Sequence, residues 1–149
     1  MLFRSRDDKY GAFHITKTGR VMTMKLVRRG GSIRCNPVDD ASYWGCTNLY
    51  YYARNKLMTI ITNANRKAIL PPELKAMGSP ANDCGQKKHV YSREGIVPKS
   101  PELLFRNLSS PLSLSRNQEL QIWYGQDFVD CSEGGNSGTT CVDVYAWYM

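Results

Sequence analysis

No apolar run in this chain approaches the roughly 20 residues that a membrane span requires. No amphipathic repeat extends beyond two helical turns, which argues against a helical domain. Histidine is scarce, with only His14 and His89, and neither stands beside a nucleophile signature. Ser132-Glu133-Gly134 and Ser137-Gly138 do not form a G-x-S-x-G elbow, so serine hydrolase chemistry has no recognisable seat. C-x₂-C spacing is missing, and with it the usual zinc framework. No RNP, helix-turn-helix or zinc-finger pattern occurs, so nucleic acid is not an expected partner.

The most uneven absence is that of positive charge. All 20 Lys and Arg lie in residues 1–116 beside 8 of the 13 acids, while residues 117–149 carry the other 5 acids and no base. A formal charge of +7 therefore covers a basic body and an acidic end. Such asymmetry fits either a basic face for an acidic partner or an acidic pocket for a cation. With 149 residues and 42% hydrophobic content, the chain is expected to fold as one domain over residues 1–149 with a real core. Residues 1–12 lack periodicity and read as a loose lead-in.

Five cysteines, Cys35, Cys46, Cys84, Cys131 and Cys141, include two pairs separated by short loops. That spacing predicts disulfides Cys35–Cys46 and Cys131–Cys141, each stabilising by roughly 2–3 kcal/mol. Cys84 is left as a free or intermolecular thiol, which would permit a homo-oligomer. Disulfides imply a secreted, extracellular setting. Met1-Leu2-Phe3 followed by Arg4 is not a signal peptide, so a secreted form is expected to begin after its signal. Asn107-Leu108-Ser109 is an N-glycosylation acceptor triplet, consistent with that setting.

Short extended segments separated by Gly and Pro dominate the rest. Val21–Val27 alternates, with Met22, Met24 and Leu26 on one face, and Arg28-Arg29-Gly30-Gly31 reads as a hairpin turn into a return strand over Ser32–Asn36. Leu57–Thr62 reads as a buried strand, followed by extended segments at Ala68–Leu70, Leu103–Leu108, Pro111–Ser115 and Glu119–Tyr124. Residues 78–100 read as a long loop. In the last run, Cys141–Tyr148, Val142, Val144, Ala146 and Tyr148 share one face against Asp143, Tyr145 and Trp147. The pattern predicts an all-β, two-sheet β-sandwich with long loops and at most one or two short helical turns.

The candidate site is the loop Gly125–Thr140 with its flanking strands. Asp127, Asp130, Glu133, Asn136 and Asp143 offer the hard oxygens that Ca²⁺ takes, although the spacing is not an EF-hand. Aromatic faces stack on the apolar side of pyranose rings. Alternation turns Tyr124 and Tyr148 inward and leaves Trp123, Tyr145 and Trp147 as expected ligand contacts, with Asp127 and Asn136 to take sugar hydroxyls. A glycosidase would need a carboxylate pair, and the spacing of the five terminal acids singles none out.

Leu120-Gln121-Ile122-Trp123-Tyr124-Gly125-Gln126-Asp127, followed by Ser132-Glu133, Asn136-Ser137-Gly138 and Cys141-Val142-Asp143-Val144-Tyr145, resembles secreted invertebrate extracellular modules of galactose-binding-like jelly-roll type. The resemblance covers mainly residues 103–147 and implies adhesion or carbohydrate recognition, in some members with structural calcium. The chain departs from it at Gly134-Gly135, where another acid would stand before Asn136. The expected function is thus a non-enzymatic carbohydrate-binding or adhesion module that meets a glycan or matrix component. A structural matrix or assembly protein that binds acidic polymers or self-associates through Cys84 is the alternative, and a small hydrolase the third.

Overall fold

The computed structural model describes residues 10–35, 40–47, 56–73, 90–125 and 137–149, together with the backbone of residues 2–4. It is an all-β sandwich. The strands are β1 (Leu2–Arg4), β2 (Gly11–His14), β3 (Gly19–Arg34), β4 (Gly45–Cys46), β5 (Lys56–Leu57), β6 (Thr59–Asn63), β7 (Ala68–Leu70), β8 (Glu102–Leu104), β9 (Leu112–Leu114), β10 (Glu119–Tyr124) and β11 (Ser137–Tyr148). One sheet runs β1-β11-β3-β8, with β9 also paired to β3, and the other runs β2-β10-β6-β7. Counting only the eight strands of these two paths in chain order, the neighbours read 1-8-3-6 and 2-7-4-5. That is the double Greek key of a jelly roll. No helix among the described residues is long and apolar enough to cross a membrane.

The first sheet is built on the antiparallel pairing of β3 with β11, which runs from Ser137↔Arg34 to Tyr148↔Val21. The expected hairpin at Arg28–Gly31 does not form, and β3 continues through it as one strand of 16 residues. Val142 pairs with Arg28 and Cys141 with Gly30, so Arg29 is the extra residue of a β-bulge. The bulge exchanges the parity of the strand. Met24 and Leu26 reach the core before it, and Ile33 and Cys35 reach the core after it. Gly31 has φ +72, and a Cβ there would run into the Thr139 carbonyl oxygen. Gly31 therefore serves a close approach inside the ladder beside the bulge rather than a turn, whereas Gly30 has open space about it.

Residues 1–12 are not a loose lead-in throughout: Leu2–Arg4 pairs with β11 as an edge strand, and Gly11 opens β2 against β10. Between the sheets, Leu26 and Val142 meet Leu120, Ile122, Tyr124 and Ile61 in one buried cluster. Burial of these side chains supplies the main driving force for the packing.

The expected Cys35–Cys46 disulfide is present, with a Cα–Cα distance of 5.5 Å. Both residues are buried. The Tyr124 hydroxyl lies 2.5 Å from Cys35 Sγ and 3.4 Å from Cys46 Sγ, so the bridge ties the end of β3 to the opposite sheet. The loop between the two cysteines is fixed further by reciprocal backbone hydrogen bonds of Ile33 and Ser42 at 2.7 and 2.8 Å. Trp44 is buried within it and donates its Nε1 hydrogen to Ser100 O at 2.7 Å.

The second expected bridge, Cys131–Cys141, is not found: Cys141 carries a free thiol. Its place explains this. β11 begins at Ser137, so Cys141 lies well inside the strand, paired to Gly30 on one side and Leu2 on the other, rather than at the mouth of a loop. Cys131 and Cys84 lie outside the described residues.

Tyr91 is buried and donates its hydroxyl to Thr59 O at 2.5 Å. Its pKa is held well above the ordinary 10.0, chiefly by burial and secondarily by the charge of Glu73. Below pH 10.0 the phenol is neutral in both folded and unfolded chains; above it the unfolded chain ionises first. Stability is therefore expected to fall as pH rises beyond that point, and the decline should be shallower in Tyr91→Phe, as read from denaturation midpoints across pH 8–12. Replacing Cys35 and Cys46 together by alanine is expected to lower the unfolding free energy by about 2–4 kcal/mol. An unchanged guanidinium midpoint would show that the bridge contributes nothing.

Candidate functional site

The sequence places Asp143, Tyr145 and Trp147 on one face of β11, and the structure turns that face to solvent. Tyr145 is 46% exposed and Trp147 44%. Opposite them on β3 stand Val27, Lys25 and Thr23. Lys25 Nζ lies 5.6 Å from the Tyr145 ring centroid and 5.5 Å from that of Trp147, bridging the two rings. The same ammonium pairs with Glu102 on β8 at 3.4 Å. Exposed cation–π contacts of this kind are worth about 0.5–1 kcal/mol each, enough to order side chains that would otherwise be free.

Arg29 comes to this face because of the bulge. Its Nε donates to Asp143 Oδ2 at 2.6 Å, and its Nη2 donates to the Tyr145 hydroxyl at 3.4 Å. The guanidinium pKa is raised, first by the hydrogen bond to Asp143 and then by that to Tyr145. Two rings thus stand in a shallow field of two cations and two carboxylates, with donors and acceptors alternating across three strands. Arg29, Lys25 and Glu102 did not emerge from the sequence as site residues. Alternation could place Lys25 on a polar face, but nothing local shows that β3 lies beside β11.

Trp123 requires a correction. Expected as an exposed ligand contact, it is 1% exposed. Its ring packs at 4.8 Å centroid distance on Tyr10, and the Arg66 guanidinium sits 4.4 Å from its centre. Its Nε1 donates to Gln121 Oε1 at 3.0 Å, and Gln121 Nε2 donates to Glu119 Oε2 at 3.1 Å. Alternation separated Trp123 from the inward set Leu120, Ile122 and Tyr124 correctly. The β2-β10-β6-β7 sheet, however, is covered on its outer face as well, where Trp123 lies beside Ile60, also fully buried.

Asp127, Asp130, Glu133 and Asn136, the remainder of the expected ligand and calcium sets, lie outside the described residues. Asp143, the member of the calcium set that is described, does not fit the role: its carboxylate is taken by Arg29. No cluster of three or more metal-ligating side chains occurs among the described residues. Asn107, the acceptor of the glycosylation triplet, is exposed between β8 and β9.

These placements separate two tryptophans that sequence alone treats alike. Trp123→Ala is expected to cost about 3–5 kcal/mol of stability, as a large side chain lost from a packed site. Trp147→Ala is expected to cost less than about 1 kcal/mol. Urea titrations of both variants test this, and equal losses would contradict the assignment of faces.

No family model matches the chain, and no curated protein matches it. A solved structure similar to it is AJLec from the sea anemone Anthopleura japonica, a lectin, with a TM-score of 0.81 and 26% sequence identity. The similarity covers 99% of this chain and 92% of that one.

Proposed function

We propose that this protein is a non-enzymatic, extracellular carbohydrate-binding module that engages sugars on the solvent face of β11 and β3. The likeness to a sea anemone lectin along 99% of the chain is the observation that carries the reading. The Cys35–Cys46 bridge supports an oxidising, extracellular setting.

The chemistry of the face supports the same reading. Trp147 and Tyr145 offer half-exposed rings for the C–H face of a pyranose. Lys25, Arg29, Glu102 and Asp143 supply donors and acceptors within the span of one or two sugar rings. Because two positive groups stand against two negative ones, the face suits a neutral hexose better than a strongly charged one. Calcium remains part of the proposal through Asp127, Asp130, Glu133 and Asn136 alone, since these carry the hard-oxygen chemistry the ion requires.

A glycan array probed with wild type and with Trp147→Ala tests the proposal. Wild type is expected to select neutral hexose-terminated glycans, and Trp147→Ala to weaken binding about tenfold or more, as for an aromatic anchor at the centre of a contact. Loss of binding in EDTA, restored by Ca²⁺, would support the calcium component, and indifference to EDTA would remove it. Absence of binding across a broad array would overturn the whole reading.

A further inference from the structure

One end of the sandwich, remote in the chain from the Arg29 and Asp143 pair, carries a cavity of about 240 Å³. Its walls are apolar: Ile69 from β7, Leu108 from the segment after β8, and Leu112 and Leu114 from β9. Ala68 and three polar residues, Asn63, Lys67 and Gln118, complete the lining. The oxygen of Asn63 is already used, accepting from Asn65 N at 2.9 Å and Lys67 N at 3.0 Å. The oxygen of Gln118 is likewise used, accepting from Ser115 N at 3.0 Å. Each amide therefore has its NH₂ end left to offer, and Lys67 adds an ammonium. The side-chain groups of these three residues that are not otherwise engaged are donors.

The surroundings carry the same sign. The 15–18 and 115–118 turns are laced together by Asn117 N to Ile15 O at 2.7 Å, Ile15 N to Gln118 O at 2.9 Å and Arg116 N to Thr18 Oγ1 at 2.9 Å. They bring Lys17 and Arg116 to the end of the sandwich that holds Gln118, with the Lys17 ammonium 5.2 Å from the centroid of the Tyr148 ring. Neither these two nor Lys67 makes an ion pair among the described residues. The acid of this end, Glu119, is engaged by Gln121 Nε2. Lys67, a cation without an ion-pair partner at an apolar hollow, complements a ligand that is both anionic and apolar.

We infer that this cavity is a second ligand site, separate from the sugar-binding face, which takes a small amphipathic anion: a carboxylate head on an apolar body. The body enters between Ile69, Leu108, Leu112 and Leu114, and the head stays at the donor side with Lys67. A cavity of roughly 150 Å³ lined by similar side chains accommodates benzene, so this one takes a body somewhat larger than that. Its modest size excludes a long acyl chain folded inside.

Isothermal titration calorimetry with octanoate, 1-octanol and acetate on the whole chain tests the inference. Octanoate is expected to bind with one-to-one stoichiometry, more tightly than either 1-octanol, which lacks the charge, or acetate, which lacks the body. Lys67→Ala is expected to weaken octanoate about fivefold, in line with a partly solvated charge. Leu112→Trp, which fills the hollow from a half-buried position, is expected to weaken it at least tenfold while glycan binding stays unchanged. Equal affinity for octanoate and 1-octanol, or octanoate binding that neither variant alters, would overturn the site. So would an absence of octanoate binding. Protein that sediments with phosphatidylserine vesicles yet ignores dissolved octanoate would mark the end as a membrane-docking pole, and would equally overturn it. Since Trp147→Ala leaves this cavity intact, failure here and failure of the sugar-binding reading are told apart.

Discussion

The architecture depends on the antiparallel pairing of β3 with β11. β11 lies between β1 and β3, and β3 also receives β8 and β9, so most of the first sheet is hung from this one ladder. Its side-chain alternation decides which groups meet the opposite sheet and which meet water. Val144 opposite Leu26, and Ala146 opposite Met24, close the core; Tyr145 opposite Lys25 necessarily looks out. The chemistry of the solvent face is thus fixed by the same hydrogen bonds that hold the fold.

The two sheets treat their outer faces differently, and this decides what their aromatic residues do. On the β2-β10-β6-β7 sheet the outer face is capped, and Trp123 is locked between Tyr10 and Arg66 with its N–H satisfied. On the other sheet the outer face is open, and the cation that meets Tyr145 and Trp147 comes from the neighbouring strand. In both cases a guanidinium or ammonium lies against a ring, but only one of the two arrangements leaves ring surface accessible. A lone period-2 pattern cannot separate them, because it reports that faces differ and not which of them is covered.

What the sequence conveyed well was whatever depends on neighbours in the chain. The alternation of Val142, Val144, Ala146 and Tyr148 against Asp143, Tyr145 and Trp147 survives intact, Glu119–Tyr124 is a strand with the expected bounds, and the short Cys35–Cys46 loop closes as expected. The jelly-roll order was reached through resemblance and is seen in the strand order. What it conveyed poorly was long-range. Arg28-Arg29-Gly30-Gly31 carries the composition of a tight turn, yet the partner strand β11 is long enough to hold both halves of β3 in one ladder, with Arg29 bulged and both glycines paired. Cys141 has the spacing of a loop-closing cysteine, but its strand begins four residues earlier than that role allows. Asp143 has the composition of a metal ligand, and the bulged Arg29, 114 residues away in sequence, claims it instead.

The bulge also bears on how this chain can vary. Within β3, gaining or losing one residue on the far side of Arg29 would exchange the inner and outer sets from there to Cys35, expelling Ile33 from the core and turning the bridge away from Tyr124. Changes of length are therefore tolerable between strands and intolerable along this one. Lineages descended from such a molecule should differ freely in their connections while keeping the count of residues from Gly19 to Cys35 constant.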